Sequence, residues 1–286
     1  MRVPLTVRAL PAGALRAWFT PPPLSEKRAA GDERALAGAE RVTIPFEGAE
    51  LNGFSIGDGP LLMAVHGWGG RAAQMLPLAI CVAELGTKVV AVNFPGHAGG
   101  TKTDVKVVAR ALTTVADTIG PPRAVIAHSL GAMATRLAFH ESAPSLVVFV
   151  APLLVVSDAL DVFSDRARLL PWADRGLRRG LRSWDPALFP QLDDITTDQL
   201  PGAEMVILHD PADPETPFAR SAELAARRER TEIVPLHDLG HTGLLADPGM
   251  IGLVTERLTD VAASREVTPD PGDFDGNVSA THRGAS

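Results

Sequence analysis

Residues 123–133, RAVIAHSLGAM, place a serine where an apolar run gives way to an alanine-rich segment. Residues 124–127 are typical of a buried parallel strand, and the residues after Ser129 favour a helix. Ala127 and Gly131 are small, as a sharp turn between strand and helix requires, because larger side chains would collide with neighbouring elements. The pattern predicts that Ser129 lies at the carboxyl end of a strand and at a helix N-terminus, where backbone N–H groups favour negative charge.

The sequence AHSLG resembles the nucleophile elbow, G-x-S-x-G, of the α/β-hydrolase superfamily, with Ala127 in place of the first glycine. A serine between small residues is also a common helix N-cap, so the other segments have to separate the two interpretations. From residue 41 onward, short apolar runs alternate with helical segments, which is typical of a parallel sheet covered on both faces. The resemblance implies the α/β fold class: a mostly parallel α/β-hydrolase sheet with helices on both faces and a helical cap insertion.

The chain divides into three predicted regions. Residues 1–40 form an N-terminal extension, 41–263 the α/β-hydrolase domain, and 264–286 a disordered tail rich in polar residues, Gly and Pro. Residues 152–200 contain no clear strand, and their pattern predicts one or two amphipathic helices, which by resemblance form a cap over the serine. Trp18 and Phe19 either anchor the extension by packing, the favoured interpretation, or shape an entrance to the site.

Two loops that follow predicted strands come before the elbow. Residues 66–70, HGWGG, resemble the family's HG-x-x-G loop, which implies that the backbone N–H groups of Trp68 and Leu130 form an oxyanion hole. The glycines also allow a tight turn, and the two roles are compatible. The second loop, residues 93–100, resembles D-x-P-G-H-G-x-S with Asn93 for the aspartate, and this implies that His97 orders the loop rather than acting in catalysis.

An acid and a histidine follow the last two predicted strands. Asp213 fits the family pattern H-x-x-x-D-x-x-V-P best, with Asp210 and Glu215 as alternatives. His241 follows a glycine in the last loop, where the family presents its histidine, whereas His237 lies at the strand end and is not expected to act. The resemblance therefore implies a catalytic triad in the chain order serine, acid, histidine.

The formal net charge of −7 provides no basic excess that would neutralise phosphates, so nucleic acid and an anionic membrane are not expected as general partners. No apolar run approaches membrane-spanning length, and the N-terminus does not resemble a signal peptide, so a cytoplasmic location is expected. The single cysteine, Cys81, cannot form an internal disulfide. No metal or organic cofactor is implied, and the oligomeric state stays open.

The leading hypothesis is a serine hydrolase that cleaves a carboxylic ester or thioester of a small or medium acyl substrate through an acyl-enzyme. A second hypothesis keeps the triad but uses it for acyl transfer, C–C bond hydrolysis or lyase chemistry. A third is a catalytically idle α/β-hydrolase fold that binds a ligand, since a fold alone does not determine function. A serine nucleophile excludes the family members that use a carboxylate.

Overall fold

The computed structural model describes residues 11–97, 99–196 and 199–266, and its central element is an eight-stranded sheet. Its strands in chain order are β1 Glu40–Phe46, β2 Ala49–Ile56, β3 Leu61–Val65, β4 Lys88–Val92, β5 Ala124–His128, β6 Leu146–Val150, β7 Glu204–His209 and β8 Thr231–Pro235. Their spatial order is β1-β2-β4-β3-β5-β6-β7-β8. Only the pairs β1–β2 and β2–β4 are antiparallel, and the five other pairs are parallel. This sheet confirms the predicted fold class.

Helices surround the sheet. In chain order they are α1 Pro11–Trp18, α2 Glu26–Ala35, α3 Leu76–Ala83, α4 Val105–Ile119, α5 Leu130–Ala138, α6 Val156–Ala167, α7 Pro171–Trp184, α8 Leu188–Leu192, α9 Phe218–Arg227, α10 Gly240–Gly243 and α11 Pro248–Glu266. Short 3-10 turns occupy Leu36–Gly38, Ala72–Met75 and Leu244–Ala246. Because α11 runs to Glu266, the first residues of the predicted tail are helical, and the rest of that tail lies outside the described residues.

Two apolar layers enclose the sheet. Along β5, Val125 and Ala127 face the layer that includes α4 and α5, whereas Ala124 and Ile126 face the layer that includes α3 and α11. Every residue of β5 is buried. Burial on both faces explains why this strand reads as a continuous apolar run and not as an alternating pattern.

The parallel register brings the carboxyl ends of four neighbouring strands to one edge. His128, the last residue of β5, pairs with Val150 of β6, and Val150 pairs with Leu208 of β7. His209, the last residue of β7, pairs with Pro235 of β8. The loops that leave β5, β7 and β8 therefore start side by side, which is where ligands bind in open α/β sheets.

The described residues of the insertion between β6 and β7 form three helices, α6, α7 and α8, so the expectation of one or two was wrong. The break between α6 and α7 has a local cause. Arg168 adopts a left-handed conformation, with φ 49°, after the last turn of α6, and Pro171 begins α7 at a position where its missing N–H is tolerated. The residues on both sides of this break favour helix, so the sequence pattern alone does not predict the break.

The N-terminal extension packs on this insertion and on the sheet's loops. Helix α1 lies against α7, where a Cβ at Gly180 would lie 3.3 Å from Leu15 Cδ2. After α1 the chain has no regular secondary structure up to Ser25, which caps α2 by accepting a hydrogen bond from the Arg28 N–H. We call residues 11–24 the N-terminal strap.

Candidate active site

Ser129 sits on a strained turn between β5 and α5. Its backbone adopts φ 54° and ψ −122°, a region that a non-glycine residue occupies only when the surrounding structure holds it there. The turn is held by hydrogen bonds from the Ser129 N–H to Val150 O, 3.1 Å, and from the Leu153 N–H to Ser129 O, 3.0 Å. A Cβ at Gly131 would lie 2.8 Å from Val65 Cγ1, so only glycine fits there without movement. The predicted elbow geometry is thus present.

Three of the predicted site residues meet in one hydrogen-bonded path. Ser129 Oγ lies 3.0 Å from His241 Nε2, and His241 Nδ1 lies 2.8 Å from Asp213 Oδ2. The loops that carry them leave β5, β8 and β7. The arrangement places a hydroxyl, an imidazole and a carboxylate in the order that proton transfer away from the hydroxyl requires.

Asp213 is held as a carboxylate in a fully buried position. Its side chain is 0 % exposed, and it accepts hydrogen bonds from the Glu215 and Thr216 N–H groups, the Thr216 hydroxyl and His241, with His209 Nε2 3.3 Å away. Burial by itself raises the pKa of Asp213, but hydrogen bonds from His209 and His241 outweigh it and hold the pKa well below the usual value. The group therefore stays ionised at neutral pH.

The alternative acids have other partners. Asp210 Oδ2 accepts hydrogen bonds from the N–H groups of Leu239 and Gly240, at 2.8 and 2.7 Å, so it holds the backbone just before His241. Glu215 is 37 % exposed, pairs with Arg166 at 3.1 Å and lies 3.9 Å from His241 Nε2. Neither carboxylate contacts His241 Nδ1 in the way that Asp213 does.

The loop after β3 approaches the serine closely. A Cβ at Gly67 would lie 2.8 Å from Ser129 Cβ and 2.9 Å from His128 Nδ1. The loop turns back through a hydrogen bond from the Gly70 N–H to Gly67 O, 3.0 Å. Trp68 follows Gly67, and Leu130 is the first residue of α5, where an N–H group has no acceptor within the helix. Both expected oxyanion donors thus belong to segments beside Ser129.

Sequence reasoning missed three polar residues around this path. His209 Nδ1 lies 2.7 Å from Ser221 Oγ, and the Thr216 hydroxyl lies 3.3 Å from Ala151 O, so both of these neighbours of Asp213 are themselves anchored. His128 Nε2 lies 2.9 Å from the backbone oxygen of His241, which joins the elbow to the histidine loop. The histidines at the carboxyl ends of β5 and β7 were an available signal for His128 and His209, but no such signal marks Thr216.

Three buried histidines close to the site, His128 among them, have lowered pKa values. Burial lowers the pKa of His128 to about 4, that of His97 to about 4 and that of His66 to about 3, so all three are neutral at pH 7. His97 contacts the rings of His66 and Trp68, at centroid distances of 5.1 and 5.2 Å, and its Nδ1 lies 3.2 Å from Pro95 O. These contacts fit the expected loop-ordering role.

A family model described as the alpha/beta hydrolase family matches residues 61–267. The chain belongs to the α/β hydrolase family. The resemblance inferred from AHSLG and the loops is thereby confirmed. No curated protein sequence matches this α/β hydrolase at a significant level.

Solved structures share the fold at low sequence identity. A membrane phospholipase A, described as a novel bacterial virulence factor, is 17% identical over 88% of this chain and 92% of its own, with a TM-score of 0.63. Est1E from Butyrivibrio proteoclasticus is 13% identical over 80% and 100% of the two chains, with a TM-score of 0.57. The mouse alpha/beta hydrolase domain-containing protein 10 is 13% identical over 79% and 100%, with a TM-score of 0.61.

In this α/β hydrolase a cavity of about 690 Å³ has Ser129 and His241 in its wall. Such a volume is within the usual range for small-molecule sites. Much of the remaining wall is apolar and comes from α6, α7, α8 and the N-terminal strap. Among the described residues, no helix has both the length and the apolar character needed to cross a bilayer.

Proposed function

We propose that this α/β hydrolase is a serine hydrolase that cleaves a carboxylic ester or thioester of a small or medium acyl substrate. The observation that carries the proposal is the continuous path from Ser129 Oγ through His241 to Asp213, at 3.0 and 2.8 Å, in the wall of a cavity. A binding protein has no requirement for a strained serine aligned with a base and a buried carboxylate.

In the first half of the reaction, His241 Nε2 takes the proton from Ser129 Oγ as the oxygen attacks the substrate carbonyl carbon. The carbonyl π bond opens to give a tetrahedral intermediate with a negatively charged oxygen. The N–H groups of Trp68 and Leu130 stabilise this oxygen, and each such donor contributes about 3 kcal/mol in hydrolases of this kind. The C–O or C–S bond then breaks, and His241 returns its proton to the departing alcohol or thiol.

In the second half, water replaces the leaving group. His241 removes a proton from the water as the water oxygen attacks the acyl carbon, and the same donors stabilise the second oxyanion. Collapse of this intermediate breaks the bond to Ser129 Oγ, which regains its proton from His241. The carboxylic acid leaves and the free enzyme is restored.

Asp213 acts on His241 in both halves. Its hydrogen bond to Nδ1 keeps the proton on that nitrogen, so that Nε2 can accept the proton of Ser129. Its negative charge stabilises the imidazolium that forms, and the lowered pKa of the carboxyl ensures that this charge is present. His209 and Thr216 fix the carboxylate's orientation.

The test is hydrolysis of p-nitrophenyl esters of increasing acyl length by the wild type, Ser129→Ala and Ser183→Ala. Ser183 lies exposed on α7 and controls for the loss of a serine hydroxyl. We expect Ser129→Ala to lower kcat roughly a millionfold, as for other triad serines, and Ser183→Ala to match the wild type. Circular dichroism establishes that all three proteins are folded.

A fluorophosphonate probe tests the nucleophile without choosing a substrate. We expect it to label the wild type and Ser183→Ala but not Ser129→Ala. Labelling without turnover of any ester or thioester would leave acyl transfer, C–C hydrolysis or lyase chemistry by the same serine. Failure of the folded wild type to react with the probe and with every ester would overturn the proposal and favour a ligand-binding role.

A further inference from the structure

The N-terminal strap forms part of the cavity wall, although it precedes the first strand. Ala17, Trp18, Phe19, Thr20 and Pro22 line the cavity together with Ser129 and His241. The cavity is therefore bounded by the strap as well as by the insertion between β6 and β7. Trp18 and Phe19 were expected to anchor the extension or to shape an entrance, and here they both pack on other elements and border the cavity.

The strap is fixed to three separate parts of the molecule. The Thr103 N–H donates a hydrogen bond to Phe19 O, 2.8 Å, which ties the strap to the segment before α4. The rings of Trp18 and Phe163 meet edge to face at 5.4 Å, which ties it to α6. A Cβ at Gly69 would lie 3.0 Å from Pro22 Cγ, so the strap also packs on the loop that follows β3. The strap is therefore a fixed part of the cavity wall.

Large apolar side chains dominate the cavity wall between strap and cap, although the charged residues Arg28, Arg71 and Arg166 also line the cavity. Six large apolar side chains from the strap and from α6, α7 and α8 contribute to it: Trp18, Phe19, Phe163, Leu181, Trp184 and Phe189. None of these six carries a charge that a polar substrate group would need. A surface of this kind favours an aliphatic chain, because each methylene that leaves water gains free energy on burial.

We propose that the strap and the cap together form the acyl-chain compartment of the enzyme, that it takes aliphatic acyl chains, and that Trp18 limits their length. The inference rests on the proposed function, since the chain's carbonyl must reach Ser129. Phe19 also lines the cavity, but it is only 4 % exposed and packs on Trp184 at 5.2 Å, so its main contribution is to hold the wall in place. Trp18 is half-buried and borders the cavity, so its ring is the part of the strap that a long chain meets.

The expected effect of Trp18→Ala is a change in selectivity. Removing the ring lengthens the compartment, so the acyl length with the highest kcat/KM moves to longer chains. For each methylene that the enlarged compartment newly accommodates, the ratio of kcat/KM for the longer to the shorter ester rises by about fourfold. Trp18→Phe removes less volume, and we expect a smaller shift in the same direction.

The experiment measures kcat/KM for p-nitrophenyl esters from acetate to tetradecanoate with the wild type, both Trp18 variants and Trp172→Ala. Trp172 is a tryptophan of the cap helix α7, but it is 44 % exposed and does not line the cavity, so its loss controls for removal of an indole ring. We expect its length profile to match that of the wild type. A profile that Trp18→Ala leaves unchanged, or lowers by one factor at every length, would overturn the inference, because the strap would then act on stability alone.

A binding measurement separates this inference from the proposed function. If the wild type hydrolyses no ester or thioester, the proposed function fails, and the compartment is tested by calorimetric titration with decanoate and tetradecanoate. We expect Trp18→Ala to improve the affinity for tetradecanoate relative to decanoate, and Trp172→Ala to leave that ratio unchanged. Equal ratios in all the proteins, or no binding of either fatty acid to the wild type, would overturn the compartment irrespective of catalysis.

Discussion

The edge of the sheet that carries Ser129, His241 and Asp213 is held by other interactions than the cover above it, which consists of the N-terminal strap and the cap helices α6, α7 and α8. At the edge, Asp213 is fully buried and accepts hydrogen bonds from two backbone N–H groups, a hydroxyl and histidines. In the cover, strap and cap meet through apolar contacts such as Trp18 on Phe163 and Phe19 on Trp184. A buried polar group left unpaired costs about 1–3 kcal/mol, whereas volume-conserving apolar exchanges usually cost less than about 1.5 kcal/mol. The edge therefore tolerates few alternatives, and the cover can vary to suit a substrate.

The sharpest test of this difference is Asp213→Asn. The change keeps the shape of the side chain but removes the charge that stabilises the His241 imidazolium, and the amide can present its NH₂ group to Nδ1 and favour the wrong tautomer. We expect kcat for a p-nitrophenyl ester to fall about 10⁴-fold, as for the equivalent change in other triads.

Asp210→Asn provides the matched control. Its amide oxygen can still accept from the Leu239 and Gly240 N–H groups, but its NH₂ group cannot accept from the Ala212 N–H, so that hydrogen bond is lost together with the charge assistance of the other two. We expect a fall in kcat of about tenfold, the scale of one weakened charge-assisted bond. A larger loss for Asp210→Asn than for Asp213→Asn would mean that the acid has been misassigned.

The same contrast explains what the sequence could reveal. Apolar runs such as residues 124–127 predicted the parallel strands, and the loops that follow those strands contain Ser129, Asp213 and His241, which the fold brings together. These elements follow local rules of period, turn chemistry and strand order. The expected roles of these residues in catalysis remain predictions for the kinetic tests.

The cover and the supporting residues could not be read in the same way. The break at Arg168 between α6 and α7 depends on one left-handed residue in a stretch that otherwise favours helix. The position of Trp18 on Phe163 joins residues far apart in the chain, and apolar contacts of this kind have no spacing rule. His209 and Thr216 were missed because their role depends on the distance to Asp213, which only the folded chain defines.

The edge has a sensitivity to acid that the apolar contacts of the cover do not share. Burial lowers the pKa of His66 to about 3 and those of His97 and His128 to about 4, whereas histidines in the unfolded chain have a pKa near 6.5. Between those values the unfolded state binds more protons, so the free energy of unfolding falls as pH drops below about 6.5. Each of these histidines lowers the free energy of unfolding by up to about 1.4 kcal/mol for each pH unit of acidification. This dependence on pH ends below the pKa of that histidine in the folded protein.

Urea unfolding at several pH values between 6.5 and 4 measures this slope. We expect His97→Phe to reduce it by about one histidine's contribution. A slope that is the same in His97→Phe and the wild type would show that His97 is not a buried neutral group.

The elbow itself can be tested through packing. A Cβ at Gly131 would lie 2.8 Å from Val65 Cγ1 and 3.0 Å from the backbone oxygens of Val65 and His66. Backbone atoms of a central strand move little, so we expect Gly131→Ala to lower the free energy of unfolding by about 1–3 kcal/mol in urea titrations.

Gly252→Ala is the control for this substitution. Gly252 lies in α11 with no heavy atom within 4 Å of its added Cβ, and alanine is the better helix former. We expect this variant to be as stable as the wild type or more stable by up to about 1 kcal/mol. Equal stability of Gly131→Ala and the wild type would mean that the elbow is looser than the contacts around it indicate.

The smallest effect is expected where the cover touches the edge. Arg166 of α6 pairs with Glu215 at 3.1 Å, and Glu215 is also the second carboxylate near His241, 3.9 Å from Nε2. Because both side chains of the ion pair are partly exposed, solvent screens it, and we expect Glu215→Gln to change kcat/KM by less than about fivefold. High salt should then reduce the difference between the two proteins. A loss as large as that of Asp213→Asn would mean that Glu215 acts together with His241 and Asp213. The polar edge would then include the contact between Glu215 and the cover.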